Sequence, residues 1–172
     1  MSYEWLKAEK SPRILVEAVK NLGVKEVVGK AHNPIILQWA KDLKLDKFYT
    51  NDEIPWCGLF IAHCCHSTGV EVANKPLWAL SWSEWGNEVK EPMLGDVLTF
   101  KRDGGGHVGI YVGEDTTHFH VLGGNQGNAV SVSRIAKTRL FKARRTAWKI
   151  AQPSNVRKII LEGKGNVSTN EK

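Results

Sequence analysis

The chain has 172 residues, of which 42% are hydrophobic and 24% charged, and its 24 Lys and Arg against 18 Asp and Glu leave a net charge of +6. Those proportions are ordinary for a globular protein and the length fits one domain with a proper core. No apolar run nears the roughly 18 residues that span a bilayer, and the polar stretch Met1 to Lys10 carries no apolar leader segment, so stable membrane insertion is not expected and a cytoplasmic location is.

Ser11-Pro12 opens the first predicted helix, with Ser11 as cap, Pro12 at its first position and Gly23 as its stop. Ile14, Leu15, Ala18, Val19 and Leu22 fall on one face. A second helix follows Asn33-Pro34 and runs to about Leu45. A third starts at Pro55 and runs from Trp56 to Thr68 before Gly69. Residues 70–95 are irregular, broken by Pro76, Gly86, Pro92 and Gly95. They hold Trp78, Trp82 and Trp85, which either pack as lids on the core or wall a groove. After Asp96 the period changes to two, predicting strands over 97–101, 108–112, 117–122 and 130–133, with 146–150 as a fifth. Asp103 to Gly106 and Gly113 to Thr116 have hairpin length. Helices followed by an antiparallel meander of about five strands is an α+β pattern. The end, Gly165 to Lys172, is polar, and its last few residues are expected to fray.

Three cysteines, at 57, 64 and 65, are an odd number with an adjacent pair, which argues against a disulfide scaffold and for free thiols. The positive charge suits an acidic partner: nucleic acid, an anionic wall or a membrane surface. Its densest patch is Lys137, Arg139, Lys142, Arg144 and Arg145. Such a run is usually solvated surface, and no nucleic-acid partner is expected.

Cys57 falls in the first turn of the third helix, where the helix dipole favours an anion. A thiol there is expected to have a lowered pKa and to act as a nucleophile; a buried, inert Cys is the plainer alternative. A nucleophilic Cys needs a base, and the base an orienting group. His63 and His66 share its helix some two turns away and cannot reach it. His32 lies in a loop. His118 and His120 share a strand face but lack a third ligand, and consecutive residues in His63-Cys64-Cys65-His66 point in different directions. His107 remains, after three glycines and at the start of a strand. The next strand returns antiparallel, so Leu122 to Asn125 must lie at the His107 end of the sheet. Asn125 there either meets the imidazole or serves as a turn residue.

The set Pro55-Trp56-Cys57, Pro92-x-x-Gly95-Asp96, Gly106-His107-Val108-Gly109 and Gly123-Gly124-Asn125-Gln126 resembles the papain-like cell-wall cysteine peptidases of the CHAP and NlpC type. It is nearest to the compact single-domain phage enzymes, over about residues 11–150. The resemblance implies one catalytic domain over 1–172, with 151–172 as an extension. It implies Cys57 as nucleophile, His107 as general base and Asn125 as orienting residue, with Trp56, Trp82, Trp85 and Gln126 in substrate binding. Many CHAP enzymes carry a Glu two residues before the Asn, where this chain has Gly123, so Asn125 must serve alone or with Gln126. Asp52 and Glu53 are too few for a calcium loop, and no metal or other cofactor is expected. The implied activity is hydrolysis of a peptide or amide bond in peptidoglycan by a monomeric endolysin, held in the host cytoplasm until release. A toxin delivered into rival cells and a non-catalytic wall-binding protein are the alternatives. An amidase and an endopeptidase would use the same three residues.

Overall fold

The apolar spacing of the first 70 residues closes into three helices: α1 (Arg13–Lys20), α2 (Pro34–Asp42) and α3 (Cys57–Ser67). The structure is a computed structural model that describes residues 3–29 and 31–169. α1 buries Ile14, Leu15 and Ala18. Ser11 does not cap it: its hydroxyl is bonded to Asn155, and Pro12 takes the cap position with no side-chain bond. α2 is capped by Asn33, whose side-chain oxygen accepts from the Ile35 N–H at 2.8 Å. α3 starts two residues later than its Pro55 suggests, with Trp56 as cap and Cys57 as first helical residue. Nearly every side of α3 is buried, which is the signature of a central helix. α1 and α2 pack on it, and it packs on the sheet.

Six strands, β1 (Asn87–Val89), β2 (Val97–Arg102), β3 (Gly105–Glu114), β4 (His118–Gly123), β5 (Ser131–Ala136) and β6 (Leu140–Arg145), form one sheet. Its order is β1-β6-β2-β3-β4-β5, with every neighbouring pair antiparallel. The predicted meander is therefore β2 to β5. The predicted strand over 146–150 is absent; β6 lies just before it and returns to the far side of β2. Its basic sequence hides it, because Arg144 and Arg145 are held by the fold. Arg144 donates to the Trp85 and Gly86 carbonyls at 2.6 and 2.8 Å. Arg145 makes a two-pronged ion pair with buried Asp96, both contacts 2.7 Å. This gives the Gly95-Asp96 motif its role, since Asp96 also accepts from the Met93 N–H at 2.8 Å and fixes the start of β2. Within the stretch expected to be irregular, Ala79–Glu84 forms a short 3-10 helix.

Val97, Val108, Ile110, Val112 and Leu122 face the helices. Leu98, Phe100, Tyr111, Phe119, Val121, Ile135 and Ala143 form a second cluster on the opposite face. The segment after β6 runs back over the sheet: Leu161 donates to the Glu114 carbonyl at 2.8 Å, and Ser168 to the Arg134 carbonyl at 2.9 Å. Asn170 to Lys172, where fraying is expected, lie outside the described residues. Among the described residues no helix is long and apolar enough to cross a membrane.

Candidate active site

The first turn of α3 meets the sheet at the start of β3. The β3–β4 ladder begins at Ile110 and Leu122, so His107 and Val108 stand ahead of it. Val108 packs in the same core cluster as Cys57, and the Val108 and Gly58 N–H groups pull the Cys57 thiol towards the anion. Cys57 is thus placed one residue along the chain from His107. The turn after β4 lies directly on α3: a Cβ on Gly124 would stand 2.7 Å from Phe60 Cβ and 2.8 Å from the Trp56 ring. Only a residue without a side chain permits that approach.

His107 is 1% exposed and lies nearly parallel to Phe100, with centroids 6.4 Å apart. Its Nε2 is 3.0 Å from Gln126 Oε1. The Gln126 amide nitrogen donates to the Val121 and Ser131 carbonyls at 3.0 and 2.6 Å. Those two bonds fix which end of the amide faces the imidazole. An amide oxygen only accepts, so Nε2 must carry the proton in this pair. In the neutral ring the lone pair then sits on Nδ1, on the opposite edge.

The position predicted for Asn125 beside the imidazole is filled by Gln126. Asn125 has φ of 57°, the left-handed turn conformation, and its buried Oδ1 has no hydrogen-bond partner. The longer side chain of its neighbour makes the reach. Gly123 explains the exchange: a Cβ there would stand 3.0 Å from Gln126 Oε1 and 3.2 Å from His107 Nε2. The space that a side chain at 123 would fill is occupied by the Gln126 amide. The clue in the sequence was the pairing of an absent side chain at 123 with a long amide three residues on.

Cys57 also differs from expectation. Burial pushes its thiol pKa above the ordinary value, outweighing the opposing pull of the Val108 and Gly58 N–H groups and of the Arg102 charge. The helix dipole acts in the predicted direction, but desolvation of a thiolate is the larger effect. The residue is 6% exposed. Residues 76–80 press on the glycine after Cys57 and on the glycine before His107: a Cβ on Gly58 would meet the Pro76 carbonyl oxygen at 2.3 Å, and one on Gly106 would meet Leu80 at 2.5 Å.

Trp56, Trp82 and Trp85 belong to the core and offer no ring face to a substrate. Their indole N–H groups are committed to Glu26 Oε1, the Pro76 carbonyl and the Glu71 carbonyl at 2.7, 3.1 and 2.7 Å. Gln126, also expected in substrate binding, is buried against His107. The tryptophan left in solvent is Trp78, 73% exposed.

The remaining histidines serve other contacts. His32 Nδ1 lies 2.9 Å from Asp52 Oδ1, and Asp52 also accepts from the Val27 and Asn33 N–H groups. That buried carboxylate ties the 24–33 loop to the turn before α3. His120 Nε2 lies 3.0 Å from Asp115, which also accepts from Arg134 Nε at 2.8 Å. Among the described residues no group of three or more His, Cys, Asp or Glu side chains is arranged to hold a metal ion. Lys137 and Lys142, from the basic run, pair with Glu114 and Glu88. All three cysteines are free and buried.

No family model matches the chain, and no curated protein matches it. The site is therefore read from its own geometry. It comprises a helix-start thiol, an imidazole whose tautomer is set, and an amide that sets it.

Proposed function

We propose that this protein is a cysteine hydrolase that cleaves an amide bond of peptidoglycan, in the stem peptide or its cross-bridge. The observation that carries the reading is the locked His107–Gln126 pair, one residue before Val108, which packs in the same core cluster as Cys57. A general base needs the tautomer that leaves a lone pair to take the proton, and the Gln126 oxygen sets that tautomer. The four motifs that resemble the CHAP and NlpC enzymes supply the substrate class. The net charge of +6 favours an anionic envelope.

In this mechanism Cys57 is a neutral thiol at rest, because burial disfavours the free thiolate. As the sulfur attacks the substrate carbonyl carbon, its proton passes to His107 Nδ1. The imidazolium that forms is held by the Gln126 oxygen through Nε2–H. The backbone N–H of Cys57, at the helix start, would donate to the developing oxyanion, an interaction worth about 3 kcal/mol in comparable acyl transfers. The C–N bond then breaks, His107 returns the proton to the leaving amine, and a thioester remains on Cys57. Water, deprotonated by His107, attacks the thioester, releasing the acid and restoring the thiol.

Digestion of purified sacculi tests the reading. Wild-type protein should release soluble fragments, and Cys57→Ala and His107→Ala should release none while keeping the wild-type circular dichroism spectrum. Mass spectrometry of the fragments identifies the new amino termini and so the bond cut. Lysis retained by Cys57→Ala refutes the scheme.

A further inference from the structure

Residues 75–80 lie against the chain neighbours of both Cys57 and His107, and they carry a ring that the core does not use. The carbonyls of Pro76 and Leu77 press on the glycine after Cys57, and a Cβ on Gly58 would collide with both oxygens. The Leu80 side chain presses on the glycine before His107, 2.5 Å from where a Cβ on Gly106 would stand. Trp78 sits between those two contacts in the chain and is 73% exposed. Exposure alone assigns nothing, since Phe48 is as open at 74%. Trp78 differs in being carried by the loop that touches both sides of the site, with its backbone pinned. Its N–H donates to the Lys75 carbonyl at 2.9 Å, and its carbonyl accepts from the Ser81 N–H and hydroxyl at 3.0 and 2.8 Å. The Trp82 indole N–H holds the Pro76 carbonyl at 3.1 Å. The 3-10 helix that follows packs on α3, β2 and β3. The ring is therefore offered to solvent from a fixed backbone beside the site.

We propose that Trp78 is a stacking platform for a pyranose ring of the glycan strand. The inference rests on the hydrolase reading and narrows the cleaved amide to one close to a sugar. An indole face is broad, apolar and electron-rich, so the C–H face of a pyranose can lie on it while the hydroxyls stay in water. The nearby charges favour a neutral ring over an ammonium group of the stem peptide. Lys75 starts the loop, and Arg102 donates to the carbonyl of Gly106, the glycine that Leu80 presses on, at 3.3 Å. Both are cations, so they oppose cation–π binding at Trp78. A platform that is already fixed loses little freedom when it binds. A sugar held there tethers the stem peptide beside the sulfur and raises its effective concentration at the site.

Two substrates separate the sugar from the peptide: a muropeptide that keeps its disaccharide, and the same peptide freed of it. In Trp78→Ala the ratio of kcat/KM on the muropeptide to kcat/KM on the bare peptide should fall about tenfold, through a higher KM for the muropeptide. Trp78→Phe, which keeps a ring, should restore part of it. An unchanged ratio overturns the platform, whether the variant keeps its activity or slows on both substrates alike. A second measurement does not rely on hydrolysis. A β-1,4-linked N-acetylglucosamine tetrasaccharide should perturb the tryptophan fluorescence of the Cys57→Ala protein, and should cease to do so when Trp78→Ala is added. A perturbation that survives Trp78→Ala, or none in either protein, overturns the platform. Failure of the wild-type protein to cut either substrate, with a perturbation that depends on Trp78, overturns the hydrolase reading alone.

Discussion

Gln126 holds His107 through its oxygen because its nitrogen is already spent on the Val121 and Ser131 carbonyls. The same side chain therefore stabilises the turn after β4 and sets the proton on the imidazole.

Gln126→Ala should lower sacculus digestion by about 10²–10⁴-fold, because the ring loses the partner that selects its tautomer. It should also destabilise the fold by about 1–3 kcal/mol, since two buried carbonyls lose their donor. Lysis rates and urea unfolding measure the two effects separately. Gly123→Glu in the Gln126→Ala background should recover part of the lost activity, because the new carboxylate enters the space beside Nε2 that the amide has left. Gly123→Glu with Gln126 retained should be inactive, as the two side chains compete for one site. Equal activities in the two backgrounds would show that positions 123 and 126 are independent.

Stability should decline in alkali. Burial pushes the Cys65 thiol up to about 12 and raises Cys64 and Cys57 as well. Unfolded thiols ionise near 8.5. Above that pH the unfolded chain sheds protons that the folded chain keeps. The contribution is whole below about pH 8.5 and drains away as pH climbs towards the folded values. The slope is about 1.4 kcal/mol per pH unit for each such thiol. Urea midpoints measured from pH 7.5 to 10.5 should fall steadily, and Cys65→Ala should flatten the fall. A midpoint that rises over this range contradicts the burial of these thiols.

The two kinds of tryptophan should separate in thermal denaturation. Trp82 is fully buried with its indole N–H bonded to Pro76, so Trp82→Ala should destabilise by about 3–5 kcal/mol. Trp78 is largely in solvent, and Trp78→Ala should change stability by no more than about 0.5 kcal/mol. A large loss from Trp78→Ala would mean that its ring covers apolar surface that its exposure does not reveal.

The sequence by itself determined the elements whose causes are local. Asn33-Pro34 marks α2, and Gly69 follows α3. The period-two runs carry β2 to β5, and the turn formers from Asp103 to Gly106 mark their first hairpin, whose turn the structure narrows to Asp103 and Gly104. It also brought His107 and the Leu122 to Asn125 segment to the same end of the sheet, because antiparallel pairing makes that a matter of counting. Tertiary structure decided everything that depends on reach and burial. β6 was hidden because its arginines find partners on Asp96, Trp85 and Gly86, far away in the chain. The thiol pKa went up because the depth of Cys57 is set by the packing around α3, not by its place in the helix. Gln126, not Asn125, holds His107 because an amide end is assigned by partners at Val121 and Ser131. Periodicity reports which face a residue takes; it carries no information on how far a side chain extends or what water it has lost.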